Sequence, residues 1–392
     1  MDAVNNPFEP GAGRQPATLV GRDDSIRQWQ TNLSRMEQGR SGRPVVLYGL
    51  RGVGKTVLLT RLAKEAEGRS WIVAQLEAGT GKTLREGISE KLQGPLADLV
   101  LPNAGRKLLQ ALKTAVSFFR VSYDAGTGTF SYGVDLTNVA GGGADTGQLE
   151  ADLNKLVHDI AAAAADQRHG LAILIDEAQD LTPEELRAIC VAAHLVSQQG
   201  TACLFALAGF PSLPRVLSEA KSYAERLFDF QEIERLGDTP ARLALTEPAG
   251  LEGVEWEADA IDFVVARTLG YPYFLQQYGQ ETWNAAEGTA LTLPDAKVGA
   301  ERAQLVLDTG FFRSRWERAT PSEKRYLRAM SPDGDGGSST GDIAGRLNTK
   351  ATSLGPVRAG LIGKGLIYAP AHGRVAFTVP GMSGFINRQV LD

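Results

Sequence analysis

Between residues 21 and about 240, short β-branched or apolar runs alternate with stretches whose apolar positions recur at helical spacing. That alternation predicts a parallel-stranded α/β layer. Strands are expected over 45–48, 71–76, 171–175, 203–208 and 227–233, and helices over 150–165 and 183–198, the second capped by Thr182. From about 241 to 310 the pattern turns all-helical, punctuated by Pro248 and Pro272. Thr320-Pro321-Ser322-Glu323 then supplies an N-cap, a proline at the first helical position and a capping-box glutamate, so a helix starts there with Tyr326, Leu327 and Met330 among its apolar positions. A second short helix fits 341–347, with Ile343, Ala344 and Leu347 inward. A third fits 353–364, with Leu354, Val357, Leu361 and Ile362 on one face. Two apolar segments, 366–368 and 375–379, flank a turn around 371–374.

Three helices followed by a hairpin make a winged-helix pattern. The expected architecture is therefore an α/β parallel-sheet core over 21–240, an all-helical segment over 241–310 and a C-terminal winged-helix domain over 311–392. Residues 1–20 read as an extended N-terminal arm. One stretch breaks the α/β rhythm. Phe118–Tyr123 and Phe130–Asp135 flank Asp124-Ala125-Gly126-Thr127-Gly128, and a Gly-rich tail follows. This is a hairpin signal, so 115–147 is expected to be an inserted hairpin, serving either as a partner contact or as a covered sheet edge.

The chain has 392 residues and a net charge of −5, unevenly spread. From Phe311 onward twelve Lys/Arg face six Asp/Glu, a net +6, which leaves the first 310 residues at −11. An acidic body with a basic module is an asymmetry that flags a nucleic-acid contact, though an unevenly charged solvated surface would look the same. No apolar run approaches a membrane span and no signal-peptide pattern opens the chain. Cys190 and Cys203 lie in apolar stretches and the four histidines are scattered. The expectation is a cytoplasmic chain with buried thiols, no membrane contact, no disulfide framework and no zinc site.

Residues 49–56 read Gly-Leu-Arg-Gly-Val-Gly-Lys-Thr, a complete G-x-x-x-x-G-K-[ST] phosphate loop between a predicted strand and a helical pattern. Glycines let such a loop curl so that its N–H groups face phosphate oxygens, and the helix N-terminus adds positive potential. Gly49, Arg51, Gly52, Val53, Gly54, Lys55, Thr56 and Val57 are thus expected at an ATP or ADP site, with Lys55 on the β- and γ-phosphates and Thr56 on Mg²⁺. The apolar run 171–175 ends in Asp176 and Glu177. Asp176 is placed to hold the Mg²⁺ shell and Glu177 to orient and deprotonate an attacking water. One predicted strand lies between the phosphate-loop strand and this acidic one, the order of the P-loop class with an additional strand. Hydrolysis is expected.

Leu19-Val20-Gly21-Arg22-Asp23, Ile175-Asp176-Glu177-Ala178-Gln179 and Ala208-Gly209-Phe210-Pro211-Ser212-Leu213 resemble the initiator-type (origin-recognition-like) AAA+ ATPases and, equally, the neighbouring STAND ATPases. The resemblance covers nearly the whole chain, including the C-terminal domain. It implies that Val20, Gly21 and Arg22 pack around adenine. It further implies that Arg226, in the segment 222–228, is an arginine finger reaching a neighbour's nucleotide; the alternative is an intramolecular salt bridge to a nearby acid. The polar sensor expected near Ala208 or Gly209 is missing, and the lid segment 270–276 carries no sensor-2 arginine. Its Gly-x-Pro pattern resembles the STAND lid, whose proline, here Pro272, approaches the base. These departures point to a slow nucleotide-dependent switch.

In a winged helix the third helix enters the major groove and the wing touches backbone. Lys350, Arg358, Lys364, His372 and Arg374 are then the expected contacts to double-stranded DNA. The expectation is an ATP-dependent homo-oligomer bound to DNA. The alternative is a signalling ATPase whose winged helix and hairpin bind a protein effector. A metabolic kinase fits poorly, since nothing resembles an acceptor-substrate lid.

Overall fold

The computed structural model describes residues 1–11, 13–98, 106–120, 143–165 and 169–389. Five parallel strands form its central sheet: β1 (Val45–Tyr48), β2 (Ile72–Glu77), β3 (Leu171–Asp176), β4 (Cys203–Gly209) and β5 (Asp229–Glu232), in spatial order β2-β3-β4-β1-β5. Every residue of β3 and β4 is buried. Successive side chains of a strand point to opposite faces, so these continuous apolar runs require helices on both faces of the sheet. The edge strand β2 alternates instead, and β5 is half-exposed.

Helix α1 (Asp23–Glu37) packs on α2 (Lys55–Glu67), which lies against β1 to β4. Helix α3 (Leu84–Asp98) lies on β2, α4 (Arg106–Arg120) on α5 (Leu149–Ala165), and α6 (Pro183–Gln199) on β4. The expected cap of α6 is present: the Thr182 hydroxyl accepts from the Glu185 amide in a full capping box. Two short helices, α7 (Leu213–Ala220) and α8 (Ala224–Leu227), lead into β5. Cys190 and Cys203 are free and buried.

One expectation is corrected within the insertion. The aromatic run from Phe118 to Arg120 is the last turn of α4, not a strand. Ala111, Thr114, Ala115 and Phe118 are buried at three- and four-residue spacing, so one helical face packs on α5 and overrides the local β-like composition. The remainder of the expected hairpin, from 121 to 142, lies outside the described residues.

The lid region holds α9 (Asp238–Leu251), α10 (Ala258–Thr268), α11 (Pro272–Ala285) and α12 (Leu293–Val306). It is not all-helical: β6 (Glu255–Trp256) and β7 (Ala290–Leu291) pair in parallel and bury Trp256 and Leu291. A π-helical turn, Leu307–Phe312, joins α12 to α13 (Arg313–Glu317). Then come α14 (Pro321–Met330), opened by the Thr320–Glu323 capping box, α15 (Thr340–Arg346), α16 (Gly355–Gly363) and α17 (Met382–Arg388). Strands β8 (Ser338–Ser339), β9 (Ile367–Tyr368) and β10 (Arg374–Phe377) form an antiparallel sheet in the order β8-β10-β9. The third expected helix is two pieces, a 3-10 turn at Ala351–Leu354 followed by α16, and Ile362 points outward at 36% exposure instead of joining Leu361 inside.

Two hydrophobic cores result. One lies around the five-stranded sheet. The other joins the lid to the C-terminal elements, where Phe312 stacks on Phe385 at 5.5 Å, and it also takes in Phe8 from the N-terminal arm. No helix among the described residues is long and apolar enough to cross a membrane.

Candidate nucleotide site

The phosphate loop is pinned where β1 ends: Gly49 N–H donates to Gly209 O of β4 at 3.1 Å. Gly52 and Gly54 take φ of +81° and +92°, which turns the loop back on itself at little cost only without a Cβ. Helix α2 starts at Lys55 with no side chain capping it, so its first amides are available to an anion. Lys55 is buried, and its Nζ donates to Gly49 O at 3.0 Å and Leu50 O at 2.8 Å. Burial lowers its pKa to about 8; the charges of Glu177 and Asp176 oppose that shift and Arg51 adds to it.

Asp176 closes β3 and is buried. Burial pushes its carboxyl above the usual range and the Glu177 charge adds to this, against hydrogen bonds from the Thr56 hydroxyl and the Glu177 amide. Glu177 itself has φ 48° and ψ 39°. The left-handed region costs a residue with a Cβ roughly 1–2 kcal/mol, and here it swings the carboxylate away from the strand. That carboxylate is tethered. Gln179 Nε2 donates to Glu177 Oε2 at 2.7 Å, while Gln179 Oε1 accepts from Phe210 N–H at 3.0 Å. Arg51 Nη2 stands 3.9 Å from Glu177 Oε1, with its guanidinium 5.0 Å from the Phe210 ring centroid.

Gln179 therefore links Glu177 to the end of β4, next to the position where the expected polar sensor is missing. A Cβ on Gly209 would sit 2.6 Å from Gln179 Oε1, so the side chain missing from the strand is the space that Gln179 occupies. Sequence reasoning missed this residue, although it stands two positions after the acidic pair.

Arg51, Lys55, Thr56 and Glu177 border a cavity of about 330 Å³. Val20 and Arg22 line it, as do Arg51 to Val57, Glu177 and Pro272. Gly21 does not: it turns the chain at φ +68° against Pro240. Gly49 and Asp176 are not on its wall either. Arg22 also holds the loop, its Nη2 donating to Val53 O at 2.9 Å and Glu234 O at 2.6 Å.

Three further walls were not foreseen. The arm contributes Gly11, Gly13 and Thr18. The lid adds Tyr273, whose N–H donates to Gly52 O at 3.3 Å. The segment after the lid adds Phe311 and Arg315. The residue that follows β10 also reaches the loop, since Arg51 N–H donates to Thr378 O at 3.0 Å. No local motif announces Arg315, which comes to this cavity only through the packing of α11, α12 and α13.

The cavity's polar groups fit a polyphosphate. Lys55, Arg51 and Arg315, with Arg14 and Arg22, bring five cations to it, and Arg51 Nε, Arg315 Nε and Thr18 Oγ1 are buried with no protein partner among the described residues. Buried polar atoms without partners are rare in native proteins and mark where another group belongs. Among the described residues no three His, Cys, Asp or Glu side chains gather to hold a metal by themselves. Thr56 and Asp176 offer a hard cation two oxygen donors, which suits Mg²⁺ shared with phosphate.

Arg226 lies elsewhere. It is exposed, lines a separate surface cavity with Arg35 and Arg43, and makes no side-chain ion pair among the described residues. Asp229 is engaged instead by Gln28 at 2.7 Å and Gln231 at 2.6 Å. Of the expected DNA contacts, Lys350, His372 and Arg374 are exposed and Arg358 is half-buried. Lys364 is not free: its Nζ is 2.5 Å from Glu323 Oε2, the glutamate that caps α14.

Residues 18–205 match the AAA ATPase domain family, and residues 309–386 match a domain of unknown function, DUF8462. No curated protein matches the sequence. Among solved structures, a Walker-type ATPase of Pyrococcus abyssi superposes with a TM-score of 0.62 at 14% identity, over 97% of this chain and 99% of the other. The Cdc6p protein of Pyrobaculum aerophilum gives 0.48 at 13% identity, over 99% and 97%. The RuvB Holliday junction branch migration motor of Thermotoga maritima gives 0.46 at 14% identity, over 97% and 100%. The last two superpositions are looser and do not inform the reading of the site. The fold is that of a P-loop AAA+ ATPase, with a parallel five-stranded sheet and a helical C-terminal region.

Proposed function

We propose that this chain is an ATP-binding and ATP-hydrolysing switch of the AAA+/STAND kind, cytoplasmic, which assembles with ATP and engages double-stranded DNA through a C-terminal winged helix. One observation carries the nucleotide reading: Lys55, Thr56, Glu177 and two partnerless arginine Nε atoms border one cavity at an uncapped helix start. Lys55 and the amides of α2 bind the phosphate chain. Thr56 and Asp176 would hold Mg²⁺, which when bound offsets the charge of the phosphate oxygens. Glu177, oriented by Gln179, takes a proton from the attacking water as that oxygen bonds to the γ-phosphorus and the bond to the ADP oxygen breaks. Val20, Arg22 and Pro272 flank the base end.

The DNA reading rests on the +6 charge of residues 311–392, on exposed Lys350, His372 and Arg374, and on half-buried Arg358. A protein effector on the same module is favoured by a different feature. The exposed positions of α16 include Pro356, Ala359 and Ile362, and Lys364 is tied down.

Sizing of the Glu177→Gln protein with ADP, with ATP, and with ATP plus duplex DNA tests the whole reading. A larger species only with ATP, joined by DNA with an affinity that falls as salt rises, is expected. A monomer in all three conditions overturns assembly, and no DNA binding at low salt favours the protein effector.

A further inference from the structure

We propose that Arg315 is a nucleotide-binding residue that contacts the phosphate chain from within the same subunit, supplied by the segment after the lid and not by the lid itself. This rests on the reading of the cavity as a nucleotide site. The lid segment Gly270–Gln276 has no arginine, yet the cavity has a cation on that side. Helix α13 places Arg315 on the same cavity wall system as Lys55, Thr56 and Glu177.

What holds Arg315 there is not a carboxylate. Its guanidinium lies 4.0 Å from the Phe311 ring centroid, and Phe311 in turn stacks on Tyr273 at 4.8 Å. One Nη donates to the Phe311 carbonyl, and Nε is buried with no partner. No ion pair involves Arg315 among the described residues. The nearest charges acting on it include Arg51 and Arg318, both of like sign, and burial together with Arg51 lowers its pKa to about 10.

A half-buried cation that faces another cation and has no acid beside it is destabilising by itself. Two guanidinium groups, Arg51 and Arg315, each with a buried unsatisfied Nε on one cavity, describe a site for a polyvalent anion. The aromatic platform fixes the side chain without neutralising it, so its charge remains available to phosphate. Arg315 falls inside the C-terminal segment 309–386, outside the 18–205 ATPase domain. The C-terminal module thereby contributes a ligand to the nucleotide and is coupled to its presence.

Arg315→Met keeps an unbranched apolar stem over Phe311 and removes the charge, and Arg315→Lys restores a charge. Titrations with fluorescent ATP and ADP should show a loss of about 10- to 100-fold for the methionine variant, the range of a charge-assisted contact, and partial recovery for the lysine variant. Without nucleotide the methionine variant should melt no lower than wild type, because it buries no unpaired charge. A merely structural arginine would give the reverse, a lower melting temperature with unchanged affinity, and that result overturns the assignment. If wild type binds ATP, Lys55→Ala does not, and Arg315→Met binds as wild type, the site reading stands and this inference falls. If wild type binds no nucleotide, the cavity reading falls and this assignment with it.

Discussion

Lys55 is held by two loop carbonyls in a buried position that lowers its pKa to about 8. Phosphate binding requires its charged form, and an anion arriving beside it raises its pKa again. Nucleotide binding should therefore take up a proton in the range from about 8 upward, and affinity should fall as pH rises through that value. Calorimetric titrations at pH 8.5 in buffers of different ionisation enthalpy measure the uptake, which should vanish in Lys55→Arg. Stability carries the matching sign. With the folded pKa below the unfolded one, the penalty of burying the charged amine is fully present below pH 8 and is relieved as pH rises toward 10.5. Gln179 belongs to the same scale. Gln179→Ala should leave ATP affinity within about twofold but lower steady-state turnover about 10- to 100-fold, since Glu177 loses its tether while keeping its charge. Unchanged turnover would leave Gln179 a packing residue only. The loop and the acidic pair were legible in the sequence because each is a contiguous run whose chemistry is local. Gln179 and Arg315 were not, because Gln179 acts through Phe210 at the end of another strand and Arg315 reaches the cavity only through the packing of the lid helices.

At the scale of elements, the N-terminal arm reads as loose in sequence, yet its backbone is tied to α11. Gln280 Nε2 donates to Phe8 O at 3.1 Å, Glu9 N–H to Gln276 Oε1 at 3.1 Å, and Trp283 Nε1 to Asp2 O at 2.9 Å. Phe8 is the apolar anchor, 1% exposed and edge-on to Trp256, and it fills the space that a Cβ on Gly279 would take. The glycine and the phenylalanine lie some 270 residues apart, which is why periodicity could not pair them. Phe8→Ala removes a fully buried ring, worth about 3–5 kcal/mol in a rigid core, but a terminal arm can detach instead of leaving a cavity. The expected outcome is a modest fall in melting temperature, rapid amide exchange over residues 1–20, and nucleotide release faster by several-fold. Release at the wild-type rate from a detached arm would show that the arm only borders the cavity. The run from Phe118 to Arg120 teaches the complementary lesson. Its aromatic composition favoured a strand, and the burial of one helical face against α5 decided otherwise.

At the scale of the whole molecule, the cavity is lined by four parts of the chain: the arm, the ATPase layer, the lid and the segment that begins the C-terminal module. Arg226 stands apart from it, exposed and without an ion pair among the described residues, while the neighbouring Asp229 is engaged by glutamines. On the proposed ATP-driven assembly, such a surface cation would be completed by a second copy and would meet the transition-state charge of that neighbour's phosphoryl transfer. Mixing separates that role from a structural one. Arg226→Ala and Glu177→Gln should each be nearly inactive alone, by about 10³-fold or more. In a mixture, an Arg226→Ala subunit keeps its own Glu177 and can receive Arg226 from a Glu177→Gln neighbour, so wild-type sites form at the boundaries between unlike subunits. Turnover should rise on mixing toward about a quarter of the wild-type value for random assembly, and only under conditions where ATP drives association. No gain on mixing, with association shown by sizing, would place Arg226 outside the active site.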